Sequence, residues 1–453
     1  MRAFPFRTAL TIITFLAILF AAARMVPGVK LPEFATGAAI VEFTPDLTPP
    51  SPLKRRPARE VLEPVHLSPA QPSMLDDRDG VLDHFYAALW RTERGEPGAV
   101  TRILHYGDSP TTADLITGDT RQILQKQFGD AGHGFTLIAK PWAWYQHNGV
   151  ERSSHGWEID PGTRADLHNA MFGLGGVVFS SHSDAYSRVY LRDPTESGLE
   201  VWFLRQPHGG TIAVSAGGRP LPTIDTSAPS RTAGFARFDL PPDVRTLEFR
   251  TSGEVRMFGI SVEKNHPGVV YDSLGVNGAS VSMLALTFNE RNWADELRHR
   301  NPDLVILNYG TNESGFAAFL TREYEKELRE VIRRVRAALP NTSILVMSPM
   351  DRGQRSGGEI RTMPTIPRIV DIQRRVAGEL HCGFFNTFEV MGGDGTMARW
   401  YDDQPRLVSA DLIHPTPAGA RLIAVAFARE LVAGLYRYKL NQVLHRNAVA
   451  QVR

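Results

Sequence analysis

Four short stretches of this chain combine residue types that could cleave an ester. Gly107-Asp108-Ser109 closes an apolar run. Leu274-Gly275-Val276-Asn277-Gly278 closes a second, and Tyr309-Gly310-Thr311-Asn312-Glu313 a third. Asp411-Leu412-Ile413-His414-Pro415 stands just before the last long helical segment. A serine hydroxyl that attacks a carbonyl must lose its proton as it does so, which calls for a neutral imidazole within hydrogen-bond reach. The second ring nitrogen must be held by a carboxylate, which also stabilises the imidazolium. Asp411 and His414, three residues apart, could supply both from one loop. The oxyanion that develops needs N–H donors aimed at it. The backbone N–H of Ser109, that of Gly278 and the side-chain amide of Asn312 are the candidates. Ser109 also opens a helix, where unpaired N–H groups and the helix dipole favour negative charge. Taken singly these residues have ordinary readings. Ser109 could be a helix cap, Gly278 a turn glycine, Asn312 a strand-end residue and His414 a surface histidine before a capped helix. Asp108 reads as structural, bonding the backbone of its own block.

These residues need strands to end together. Thr101 to Ser109 reads as a buried strand, and Leu115 to Phe128 as a helix with apolar Leu115, Ile116, Ile123, Leu124 and Phe128. An earlier helix carries Leu82, Phe85, Leu89 and Trp90 at helical spacing and stops at Gly95 and Pro97. From 156 to 267 the texture changes to short β-branched or aromatic segments at strand-and-turn intervals, with Gly217-Gly218 as a hairpin signal. The alternating pattern then returns: strands at GVVYDSLG, DLVILNYGTN, SILVMSPM and GFFNTF, and helices around Trp293 to Leu297, at REYEKELREVIRRVRAAL, at PRIVDIQRRVAGEL and at AGARLIAVAFARELVAGLYRYKL. Such alternation predicts a parallel sheet covered on both faces, with reactive groups beyond the carboxyl ends of its strands.

The ends of the chain are simpler. Thr8 to Ala23 is an uncharged apolar run between Arg2, Arg7 and Arg24. At about 16 residues it falls between a signal-peptide core and a spanning helix. Residues 1–26 are therefore read as a signal peptide or an N-terminal membrane anchor. Either exports the rest, to the periplasm, to the outer face of the inner membrane, or into the medium. Residues 27–74 are dense in proline and read as an extended linker. The expected organisation is then 75–155 and 268–440 for the two parts of the α/β domain, 156–267 for an inserted β-sandwich, and 441–453 for a tail.

The four blocks, in this order, resemble the SGNH (GDSL-type) hydrolases, a family called after its Ser, Gly, Asn and His. The resemblance implies a flavodoxin-like three-layer α/β/α sandwich. It assigns Ser109 as nucleophile, His414 as base, Asp411 as its orienting carboxylate, and Ser109, Gly278 and Asn312 as oxyanion donors. Thr112-Ala113-Asp114 and Phe128-Gly129-Asp130 are similar to the peptidoglycan O-acetylesterases of that superfamily, which also carry an inserted β-sandwich resembling carbohydrate-binding modules. Ser109 to Gly278 is far longer than a simple crossover needs, and the insertion, jelly-roll-like in its strand pattern, fills it. Two positions depart from the pattern: Pro110 follows the serine, and Glu313 follows Asn312 where the wider superfamily has Asp. Proline is tolerated at a first helical position.

The implied activity is removal of O-acetyl groups from an envelope polysaccharide. An O-acetyltransferase with the same three residues, or a lipase or thioesterase, are the alternatives. Nothing else in the sequence points elsewhere. The 453 residues are 42% hydrophobic and 22% charged with a net charge of +1, which leaves no electrostatic case for nucleic acid. Cys382 is the one cysteine, and the histidines show no ligand-like spacing, so no metal and no cofactor are assigned. Pro141-Trp142-Ala143-Trp144-Tyr145-Gln146-His147 is aromatic-rich. It reads either as packing between the domains or as a platform for sugar rings.

Overall fold

The computed structural model describes residues 73–163 and 168–452. The expected signal or anchor at 1–26 and all but the end of the expected linker at 27–74 lie outside the described residues. Among the described residues no helix is long and apolar enough to cross a membrane.

The α/β domain is built on a sheet of six strands: β1 (Leu75–Asp76), β2 (Val100–Gly107), β3 (Gly268–Gly275), β4 (Leu304–Asn308), β5 (Ser343–Met347) and β6 (Gly383–Phe385), in the order β1-β6-β5-β4-β2-β3. β2 to β6 are parallel, and β1 adds an antiparallel edge on β6. Leaving β1 aside, this is the flavodoxin-like order, with its switch point between β2 and β4. The principal helices are α1 (Asp83–Glu93), α2 (Ile116–Phe128), α3 (Glu290–Arg300), α4 (Tyr324–Ala338), α5 (Thr365–Glu379) and α6 (Pro417–Val452).

Side chains on a strand alternate between faces, so a strand covered on both sides must be apolar at every position. β4 satisfies this. Leu304 and Ile306 join one core with Phe85, Leu124, Phe427 and Leu431 of α1, α2 and α6. Val305 and Leu307 join the other with Trp293, Val331 and Ile369 of α3, α4 and α5. α6 runs through 441–452, so the tail expected there is helix.

The inserted strands form two antiparallel sheets. One runs 219–220, 211–216, 246–252, 186–191, 150–155. The other runs 232–239, 198–205, 255–263, 177–181, 158–161, with Gly134–Thr136 pairing on 255–263. Their inner faces share one core through Trp202, Leu204, Val214, Leu247 and Phe249, continuous with the α3–α5 side of the parallel sheet. The insertion starts earlier than 156, because Gly134–Thr136 and Val150–His155 already belong to it. A buried ion cluster pins it to the α/β sheet. Arg300, the last residue of α3, holds Asp272 of β3 at 2.6 Å (Nε–Oδ2) and 2.9 Å (Nη2–Oδ1). It also pairs with Glu263 at the end of the strand Val255–Glu263, which Arg102 meets at 2.8 Å. Burial alone would raise the Glu263 carboxyl, but the two guanidiniums outweigh it and bring it down to about 2.

Candidate active site

Register places three blocks in one row. Gly107 at the end of β2 lies opposite Gly275 of β3 and Asn308 of β4. The chain beyond each strand therefore emerges on the same edge of the sheet, beside the switch point. At β2 it turns at once into a one-turn helix, Ser109–Thr112. Gly107 is required by this close approach, since a Cβ there would stand 2.3 Å from Thr111 Oγ1. Thr112 Oγ1 donates to Gly275 O at 2.6 Å and Ser273 Oγ to Thr111 O at 2.9 Å, which fastens the turn to β3. Pro110 is accommodated within it, as its position near the helix start allows. The turn is separate from α2, so the dipole support expected for Ser109 from a full helix is confined to four residues.

The fourth block reaches the same edge from before α6. Asp411 Oδ1 accepts the N–H groups of Ile413 (2.9 Å) and His414 (3.0 Å), folding the loop on itself. Leu412 between them has φ +62°, a conformation that costs a non-glycine residue about 1–2 kcal/mol. It is held there by two backbone bonds, Leu412 N–H to Ser409 O and Gly353 N–H to Leu412 O, and by burial of its side chain. The result presents His414 to Ser109. Ser109 Oγ lies 2.7 Å from His414 Nε2, and His414 Nδ1 lies 2.6 Å from Asp411 Oδ2. The carboxylate keeps the proton on Nδ1, so Nε2 is left to accept from the hydroxyl. For Asp411, burial acts upward, but the hydrogen bonds from the His414 ring and the loop amides prevail and hold its carboxyl below the ordinary value. Ser109 is almost covered at 9% exposure, whereas the His414 side chain is 40% exposed. The His414 ring thus stands on an open rim rather than in a closed chamber.

The second and third blocks meet beside this relay. Asn312 Nδ2 donates to Ala279 O at 2.8 Å, and its second N–H has no hydrogen-bond partner among the described residues. Gly278 has φ +73° and is exposed, and a Cβ built on it meets no atom within 4 Å. In the sequence Glu313 stood out only as a departure from the family pattern. In the structure it binds two loops: its Oε1 accepts from Val281 N–H at 2.8 Å and its Oε2 from Gly310 N–H at 3.0 Å, so one buried carboxyl ties them together. Burial pushes Glu313 up to about 7 against the pull of those amides. Asp108 is also pushed to about 7, by burial first and then by the nearby Glu313 charge. Arg352 joins the third block through the fold alone. Its Nη1 donates to Thr311 O (2.8 Å) and Ser314 Oγ (3.1 Å), bracing the third block. No motif marks it, because its partners are set by the fold. Among the described residues no cluster of His, Cys, Asp and Glu could hold a metal ion.

Residues 248–422 match the GDSL-like lipase/acylhydrolase family. The matched stretch, which takes in most of the second part of the α/β domain, is a GDSL-like acylhydrolase domain. The matched stretch takes in Gly278, Asn312, Asp411 and His414 but not Ser109, which the inserted sandwich separates from the later part of the α/β domain. No curated protein matches the chain. Among solved structures, a peptidoglycan O-acetylesterase aligns with a TM-score of 0.69 at 23% identity, over 80% of this chain and 99% of that one, and shares the fold. An acetylxylan esterase from Geobacillus stearothermophilus aligns at 21% identity over 36% of this chain and 72% of that one, with a TM-score of 0.28. A family two carbohydrate esterase from Clostridium thermocellum aligns at 13% identity over 59% and 98%, with a TM-score of 0.27.

Proposed function

We propose that this acylhydrolase domain removes O-acetyl groups from a cell-envelope polysaccharide of the peptidoglycan kind. The observation that carries the reading is the continuous relay from Ser109 Oγ through the His414 ring to Asp411, 2.7 and 2.6 Å long. Ser109 Oγ attacks the ester carbonyl carbon while His414 Nε2 takes the hydroxyl proton. Asp411 stabilises the imidazolium that results. The oxyanion lies against the N–H groups of Ser109 and Gly278 and the Asn312 amide. The tetrahedral intermediate collapses, the C–O bond to the sugar breaks, and His414 returns its proton to the sugar oxygen. Water then attacks the acetyl carbon while His414 takes its proton, the bond from that carbon to Ser109 Oγ breaks, and His414 returns the proton to Oγ as acetate leaves.

An open rim suits an acetyl group carried on a polymer, which must approach from outside and leave again. The basic-flanked apolar run at 8–23 supports export, with the domain held in the periplasm or tethered to the outer face of the inner membrane, where such a polymer lies. The test is acetate release by the purified protein from O-acetylated peptidoglycan and, in parallel, from acetylated xylan and nitrophenyl esters of rising chain length. The reading expects peptidoglycan acetate to be released fastest and acetyl to be the preferred acyl group. Preference for long acyl chains would overturn it. Transfer of acetyl to an added oligosaccharide faster than to water would make the protein a transferase.

A further inference from the structure

The aromatic segment 141–147 divides in the structure. Tyr145 is 4% exposed, and its hydroxyl oxygen accepts the Leu137 N–H at 3.0 Å. Trp142 is half-buried and packs edge-on against Tyr145, with ring centroids 6.2 Å apart. His147 is buried. These three are committed to packing. Trp144 is different: the residue is 51% exposed, and its Nε1–H donates to Asn277 Oδ1 at 3.3 Å. Asn277 immediately precedes Gly278. Two residues on, Gln146 N–H donates to Thr112 O at 3.3 Å, on the turn that carries Ser109. The indole is therefore anchored by its polar edge to the loop bearing Gly278, on a segment whose backbone also bonds the turn bearing Ser109, and about half of the residue faces water.

An indole whose N–H is satisfied by a neighbouring loop has little freedom left in its ring plane, and its faces remain apolar. A pyranose ring offers a matching surface, since the axial C–H bonds of one face form an apolar patch while the hydroxyls point outward. Apolar contact with a preorganised aromatic costs little conformational entropy. We infer that Trp144 is a specificity-determining residue, a plate on which a pyranose ring of the substrate stacks so that its acetyl ester falls between Ser109 and Gly278. This inference rests on the polysaccharide reading above. Asn277 is its positioning partner, setting the indole plane through the Oδ1 contact.

The experiment compares wild type with Trp144→Ala, Trp144→Phe and Asn277→Ala on O-acetylated peptidoglycan fragments and on 4-nitrophenyl acetate, which has no pyranose to stack. The decisive quantity is the ratio of kcat/KM on glycan to kcat/KM on the aryl ester. Trp144→Ala is expected to lower this ratio roughly two- to tenfold, mainly through a higher KM for glycan, with Trp144→Phe recovering most of it. Asn277→Ala should lower it less, in the same direction. An unchanged ratio in Trp144→Ala, with wild type active on glycan, overturns the plate. Wild type that cleaves the aryl ester and no glycan acetate overturns the polysaccharide reading instead. Should the alanine variant fail to fold, the phenylalanine and Asn277 variants read the same ratio.

Discussion

Replacing Glu313 by glutamine removes a charge and keeps the shape, and the structure allows its effect to be worked out. The carboxyl is buried at 2% exposure and takes one N–H from each of two loops, Val281 at 2.8 Å and Gly310 at 3.0 Å. Its folded pKa is raised from 4.5 to about 7. A raised carboxyl means that the folded state holds its proton where the unfolded chain has lost it. Its contribution is thus complete below about pH 4.5 and is lost as pH rises to about 7. One proton over that interval gives a slope of about 1.4 kcal/mol per pH unit and a total of roughly 3 kcal/mol at most. Glutamine abolishes this dependence. It also lowers the neighbouring Asp108 carboxyl, whose rise owes part to Glu313, so the slope flattens further. Against this, the amide oxygen can accept only one of the two N–H groups while its NH2 faces the other, at a cost of about 1–3 kcal/mol for the unpaired buried donor. Glu313→Gln should therefore be less stable than wild type at pH 5, and the gap should close or reverse by pH 8. Urea unfolding at half-unit steps from pH 5 to 8 measures it. The same variant loosens the tie between the loops of Gly278 and Asn312, so kcat on 4-nitrophenyl acetate should fall by about tenfold or more with little change in KM. Two stability curves running parallel from pH 5 to 8, separated by a constant offset, would show that Glu313 takes up no proton on folding.

Three further outcomes are expected. Asn312→Ala removes one of the proposed oxyanion donors and should cost about 10²–10³ in kcat on 4-nitrophenyl acetate; steady-state kinetics read it, and circular dichroism should show an unaltered fold. Asp411→Asn leaves the loop able to satisfy either the ring or the amides but not both, so kcat should fall about 10⁴-fold while urea midpoints shift little for so exposed a group. Arg300→Met strips the guanidinium from Asp272 and Glu263 in the buried cluster under the sandwich and should destabilise by about 3–5 kcal/mol, measured by urea unfolding at pH 7.5.

Much of the fold was legible because both-face burial leaves a plain mark. LVILN and SILVM are apolar almost throughout, which only a strand between two helical layers tolerates. The residues proposed to carry the chemistry stand out for a related reason, since each of the first three blocks interrupts such a run with Gly, Asp, Ser or Asn where a buried strand stops. The start of the insertion was not. Val150–His155 reads VERSSH and is mostly exposed, an edge strand without an apolar face to betray it. The hairpin Gly353–Ser356 with Glu359–Thr362 escaped for the same reason. The final helix runs on past Leu440, where Val443 and Leu444 continue its apolar spacing but, like Leu440, face solvent rather than core, so no burial pattern marks its end. The bridging of two loops by Glu313 could not be read at all. Its partners are backbone amides, which carry no sequence identity, one of them 32 positions away. Trp144 stood within a recognised aromatic segment, but only packing separates it from Trp142 and Tyr145.

The proposed chemistry stands or falls on Ser109 as the nucleophile, deprotonated by His414. Incubation with an organofluorophosphonate followed by peptide mass spectrometry probes this without any assumption about the glycan. One phosphonyl group per chain should appear on the peptide containing Ser109, with loss of esterase activity in step, and His414→Ala should label roughly a hundredfold more slowly. An adduct on another residue, or full esterase activity persisting in Ser109→Ala, would mean that the relay is not the catalytic centre.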